Sequence, residues 1–350
     1  MARLLVTLLL CATLTGCYYL QAASGQLEVI RKRESLDEVI ADPNTSPELA
    51  ARLQLLDEAR DFSVSSLGLP DNNSYRTYAD LERDYVVWNV FAAPEFSLEP
   101  KVWCFPVAGC VSYRGYFSQD RAVKEAERLK KEGFDVAVGG VAAYSTLGKF
   151  SDPILSTMMR WDDIDLVAVL FHELAHQVVY VKDDSAFNES FATAVEEFGV
   201  QLWLEERGEQ EKMAEYVAGR ALQQSLTELV MKAREVLHSV YASDVEDEYK
   251  RVLKRERLQT LAADVADELQ RNGKEASGWL TGELNNARLI STTLYEGNLP
   301  SFRALYGRCE RDIDCFYTEA KKLADLDYDD RKAALSSSDL LGFGGGANEQ

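Results

Sequence analysis

The chain has 350 residues, room for one large domain or two modest ones, and its 46% hydrophobic and 27% charged residues suit a globular protein with a real core. The formal net charge of -20 at pH 7 argues against nucleic acid as a partner, because phosphate binding needs a positive footprint. Charge of this kind bears on solubility and partners and leaves the fold open.

The chain opens on Arg3 and an apolar stretch from Leu4 to Leu14, which together read as an export signal. The stretch is too short to span a bilayer, which takes about 20 residues. It runs into Leu14-Thr15-Gly16-Cys17, which resembles the bacterial lipobox. That resemblance implies lipid on Cys17 and a mature N-terminus there; an ordinary secretory signal or an uncleaved anchor are the alternatives. Tyr18, and not an aspartate, follows the cysteine, so the expected location is the outer membrane, facing the periplasm. Of the six cysteines, Cys104, Cys110, Cys309 and Cys315 then remain. Four cysteines in an oxidising compartment allow three pairings, the simplest joining Cys104 to Cys110 and Cys309 to Cys315.

Helical spacing covers residues 18–62, clearest from Pro47 to Phe62, where Ser46 is placed as N-cap. Leu69 to Asn73 is a turn cluster, and Tyr85 to Phe91 is β-branched and aromatic, as in a strand. Val102 to Tyr113 is expected to continue the sheet. A charged helix from Asp120 to Glu132 stops at Gly133, and Phe134 to Val141 follows as a strand. Further helices are expected over Asp163–Val179 and Ala186–Glu205, then a long helical pair from Glu209 to Asn272, then Gly278–Tyr295 and Pro300–Ala324. The Ser/Gly-rich end from Ser336 reads as disordered.

Within the first of those later helices stands His172-Glu173-Leu174-Ala175-His176. Residues four apart project from one helical face with β-carbons about 6 Å apart, so two imidazoles can hold one tetrahedral zinc ion. Glu173, beside the first ligand, is placed to take a proton from water and pass it to a leaving amine. Only three histidines occur in the chain, and two lie in this motif. Zinc usually takes a third protein ligand. Glu189, separated from His176 by twelve residues and a short turn, can face the imidazoles if the next helix folds back antiparallel.

This pattern, with Asn188-Glu189-Ser190-Phe191-Ala192, resembles the gluzincin metallopeptidases, although the gap before Glu189 is shorter than in the alanyl-type aminopeptidases. A closer resemblance covers nearly the whole mature chain: the bacterial family of predicted aminopeptidases, often lipoproteins. It is carried by Trp88-Asn89, Ala93-Pro94-Glu95, Trp103 to Cys110, Tyr113 to Phe117, Ala143 to Gly148, Asp152-Pro153 and Asn285 to Leu289. The resemblance implies an α+β, mostly helical fold: a thermolysin-like zinc core with a small mixed sheet and additional helices. The expected organisation is a signal peptide over 1–16, a helical region over 17–84, the catalytic sheet and zinc helices over 85–208, a helical region completing the cleft over 209–335, and a tail over 336–350.

In that fold a peptide substrate lies along an edge strand, here Gly139, Gly140 and on to Tyr144. Candidates to stabilise the oxyanion are Tyr295 and His238. Arg114 is a candidate for a substrate carboxylate, and Glu196, seven residues past Glu189 on the same helical face, for orienting an imidazole. The stretch Gly139 to Thr146 contains no acid to grip a free amine, and Glu95 is the candidate to substitute from elsewhere. The expected activity is therefore zinc-dependent hydrolysis of peptides with one ion. The alternatives are a non-catalytic envelope lipoprotein that binds a peptide or partner, and a hydrolase of non-peptide amides.

Overall fold

A computed structural model describes residues 18–105, 109–275, 284–293 and 297–336. The export signal, Cys17, Tyr295 and the tail beyond residue 336 lie outside the described residues.

The chain begins with helix α1 (residues 18–31), strand β1 (Arg33–Ser35) and helices α2 (Leu36–Ala41) and α3 (Pro47–Ser65). Helix α3 starts where Ser46 Oγ accepts from Leu49 N at 3.2 Å and Pro47 fills the first turn, where a missing N–H is harmless. Strands β2 (Thr77–Ala79), β3 (Val87–Pro94), β4 (Trp103–Phe105), β5 (Gly109–Val111) and β6 (Arg114–Tyr116) follow. Next come α4 (Gln119–Lys131), β7 (Phe134–Val141), β8 (Ile154–Leu155), α5 (Asp163–Ala175) and α6 (Ser185–Arg207). The remainder is helical: α7 (Gln210–Ala242), α8 (Asp247–Arg271), α9 (Asn286–Thr293), α10 (Leu299–Arg308), α11 (Ile313–Ala324) and α12 (Tyr328–Leu335). Among the described residues no helix is long and apolar enough to cross a membrane.

The strands form three small sheets ordered β1-β2-β8, β6-β3-β7 and β4-β5. Only the β2–β8 pairing is parallel, so the architecture is mostly helical with small mixed and antiparallel sheets. The stretch expected to continue the sheet, Val102 to Tyr113, forms a separate hairpin instead. Cys104 and Cys110 face each other across the β4–β5 hairpin and are disulfide-bonded, which closes that hairpin as a separate unit. The strand that pairs with β3 opposite β7, Arg114–Tyr116, begins just beyond that stretch. The helix expected over Pro300–Ala324 is likewise broken. Glu310 and Arg311 both take positive φ, a conformation that ends a right-handed helix, and Cys309 bonds Cys315 across the break.

One hydrophobic core runs from Val29 to Leu335, so segments from both ends of the chain share it. Helix α5 is its axis: Leu166, Leu170, Phe171 and Leu174 are fully buried, each contributing about 1.5–3 kcal/mol. Helix α6 lies against it closely enough that a β-carbon on Gly199 would sit 2.7 Å from Phe171 Cδ2 and 2.8 Å from Leu67 Cδ1. Absence of a side chain at Gly199 is what lets the two helices approach. A second core joins β3 and β7 to α4 through Val90, Ala92, Val136, Ala122, Ala126 and Leu129. A third packs Val230, Ala233 and Leu237 of α7 against Leu258, Leu261 and Val265 of α8, the long helical pair read from the sequence.

Candidate metal centre

Helix α5 starts where Asp162 Oδ1 accepts from Asp165 N at 2.9 Å, and it ends sooner than the sequence periodicity suggests. His176 is its C-cap, and the chain then tightens into turns with Gln177 N donating to Leu174 O and Val178 N to Ala175 O. That early stop reverses the chain within the eight residues before α6. Helix α6 begins on Asp184, whose Oδ1 accepts from Phe187 N at 3.1 Å. The other carboxylate oxygen accepts from Arg331 Nε of α12 at 2.9 Å, with Arg331 buried and Asp184 largely covered.

The residues around Glu189 each have a distinct job. Asn188 Oδ1 accepts from Val181 N and its Nδ2 donates to Val181 O, both at 2.7 Å, so this side chain clamps the turn to the first turn of α6. Ser190 Oγ accepts from Asn298 N at 3.1 Å. Phe191 is fully buried against Phe302 and Phe316, and Ala192 is fully buried beside it. These four contacts fix the rotation of the helix start, and Glu189 is the side chain left facing α5.

Glu189 Oε2 lies 3.3 Å from His172 Nε2 and 3.7 Å from His176 Nε2, and one ligand atom of each residue falls within 4.8 Å of the others. Two ligands each about 2.0–2.1 Å from a tetrahedral ion stand about 3.3 Å apart, so the donor set matches zinc in number, type and spacing. Charge supports the same reading. Burial alone would depress His172, but hydrogen bonds to Glu189 and Glu196 and their charges outweigh it and hold the imidazole well above its usual value. Burial alone would raise Glu189, but the neighbouring His176 and His172 hold it below the usual carboxylate range. The pocket thus favours positive charge among these three side chains. His176 Nδ1 is buried without a hydrogen-bond partner among the described residues. Glu173 is buried beside the ligands, and burial pushes its carboxyl up. Tyr75 and Asp152 lie within its electrostatic reach, the latter raised to about 6 by burial despite its hydrogen bonds from Thr146.

The site opens into a cleft of about 1220 Å³ lined by Gly140, Asp165, His172, Glu173, Glu196 and Tyr216, among others. Strand β7 forms one rim. It pairs only with β3 among the described residues. Val141 O accepts from Val86 N on the β3 side, so strand alternation turns the backbone groups of Val138 and Gly140 to the free edge. Asn285 Nδ2 takes Val136 O on that edge at 3.1 Å, which covers the start of the strand and leaves its end open. A β-carbon at Gly139 would meet nothing within 4 Å, whereas at Gly140 it would strike the Tyr85 ring at 2.4 Å.

The other side chains singled out in the sequence lie as follows. Glu196 Oε2 is 3.1 Å from His172 Nδ1. Tyr144 donates its hydroxyl hydrogen to Gln26 Oε1 and packs on Phe117. Arg114 pairs with Glu125 at 3.4 Å and stacks 4.1 Å over the Tyr18 ring, an arrangement that occupies its guanidinium structurally. Glu95 is gripped by Arg251 at 2.7 and 2.9 Å. His238 is exposed on α7, eighteen residues past the cleft residue Arg220, or about 27 Å along the helix. Tyr113 and Tyr180, which spacing did not point to, both lie within electrostatic reach of Glu189, and Tyr113 also of Glu173.

A helix that offers two imidazoles and a general base, answered by a carboxylate from the helix folded back against it, defines a gluzincin-type zinc metallopeptidase. Residues 17–335 match the protein family described as "Putative aminopeptidase", and the chain belongs to that family. No curated protein and no solved structure matches it.

Proposed function

We propose that this zinc peptidase works in the cell envelope, anchored by lipid on Cys17 at the outer membrane, and cleaves peptides laid in extended form along the end of β7. The convergence of His172, His176 and Glu189 beside a buried Glu173 carries the reading. A divalent ion held there supplies Lewis acidity toward a water and a peptide carbonyl. Glu173 then removes a proton from the attacking water and delivers it to the departing amine. The open backbone groups of Val138 and Gly140 would align the substrate strand, and the empty face at Gly139 would leave room for its side chains. Tyr113, within electrostatic reach of both Glu189 and Glu173, is our candidate hydroxyl to donate to the developing oxyanion. Glu196 holds the His172 ring in the tautomer that presents Nε2.

Chelation should abolish hydrolysis of a mixed peptide panel, and added zinc should restore it. Hydrolysis indifferent to chelation would overturn the metal mechanism. Within that panel, equal cleavage of free and blocked N-termini would exclude a strict aminopeptidase. The anchor is tested by Cys17→Ser, which should move the protein from the membrane fraction to the soluble one; unchanged fractionation would remove it from the reading. The leader stretch from Leu4 and the Leu14–Cys17 sequence support the anchor.

A further inference from the structure

The cleft is charged unevenly. Five carboxylates line it against two cations, Arg220 and Lys274. Glu173 and Glu196 serve the metal site, and Asp162 caps α5. Arg220 is bound by Glu197 at 2.6 Å, a carboxylate it shares with Arg303. Asp165 and Glu215 remain, and neither carboxylate has an ion pair or hydrogen bond among the described residues.

Acidic side chains alone would be a solvated surface, but a second feature stands among them. Tyr216 lines the same cleft, is only 8% exposed, and its hydroxyl is buried with no hydrogen-bond partner among the described residues. It lies within electrostatic reach of Asp165, Glu196 and Arg220. A buried hydroxyl without a partner is uncommon in folded proteins and marks a place where a ligand's polar group can complete the bonding. The walls beside it are apolar: Trp161, Ile164 and Val169 of the α5 approach and first turns also line the cleft. Apolar walls that end in a carboxylate match the shape of a lysine or arginine side chain, whose methylene stem packs and whose charged end is paired.

We infer that Asp165 and Tyr216 form a subsite for a lysine or arginine side chain of the substrate. The inference rests on the peptidase reading above and names its substrate class. Asp165 precedes His172 by seven residues on α5, two turns, so the subsite sits about 10 Å along the helix from the metal ligands. An extended peptide advances about 3.3 Å per residue, so the cation belongs two or three residues from the scissile bond, or closer if a long side chain spans the gap.

The test uses the zinc-loaded chain and matched peptides with lysine or norleucine near the scissile bond, each with a free or acetylated N-terminus. The cationic member of a pair should be favoured about tenfold or more in kcat/KM. The ratio should fall toward one in Asp165→Asn and decrease partly in Tyr216→Phe. A preference that follows lysine whatever the terminus supports the subsite; one that follows the free terminus alone would overturn it. Equal turnover across all pairs, or a preference undiminished in Asp165→Asn, would overturn the proposal. The same peptides titrated into zinc-loaded Glu173→Gln by calorimetry separate the two readings. Absent hydrolysis in the wild type with a retained affinity difference sinks the peptidase reading alone, while equal affinities sink the subsite.

Discussion

Replacing Glu173 with glutamine is expected to stop peptide hydrolysis and leave the zinc in place. The amide matches the carboxylate in shape but cannot accept the proton of the attacking water. General base catalysis of this kind contributes about 10²–10⁴-fold, so kcat should fall by at least that range's lower end. Metal content should stay at one ion per chain, because the ligand cluster comprises His172, His176 and Glu189 and does not include Glu173. Stability offers a second readout. Burial raises the Glu173 carboxyl, which means the fold disfavours its charged form. Glutamine removes that cost, so the metal-free variant should melt no lower than the parent, as catalytic groups are often held at the expense of stability. Hydrolysis within a few-fold of the parent, measured at saturating zinc, would sink the assignment of the base.

Glu189→Gln should act on the opposite quantity. Binding energies near zinc sites run about 10–16 kcal/mol, and losing one anionic ligand of three removes about 4 kcal/mol, or on the order of 10³-fold in affinity. Competition with a chromophoric chelator would measure it. Glu196→Gln provides the contrast. Its carboxylate touches His172 Nδ1 and not the metal position, so the same assay should show a smaller loss of about 10–100-fold. Equal affinities for the parent and Glu189→Gln would remove Glu189 from the ligand set. An effect of Glu196→Gln as large as that of Glu189→Gln would mean that the orienting contact had been misread.

The zinc helix was legible because its information is local: two histidines four apart on an apolar helix can point only one way. Glu189 needed more, namely a turn that reverses the chain, and the bonding of Asn188 to Val181 explains why the residues beside it matter. Glu196 followed from helical periodicity on the same face as Glu189. What could not be read from spacing came from tertiary placement. Tyr113 comes within electrostatic reach of Glu189 from the segment between two short strands, and Tyr216 lines the cleft from the start of α7. Neither position carries a periodic signal. Arg114 and Glu95 were plausible substrate contacts as isolated residues, but Glu125 and Arg251 occupy them, the latter from 156 residues away. That the β4–β5 hairpin stands apart from β3 was hidden for the same reason, although the Cys104–Cys110 bond that closes it was read from the spacing.

Asp184 starts the helix that carries Glu189, and Arg331 holds that aspartate from the far end of the chain. The third metal ligand is therefore tied to the C-terminal helix: a chain truncated before α12 would leave that largely covered aspartate without its cation, at the N-cap of the helix that carries Glu189.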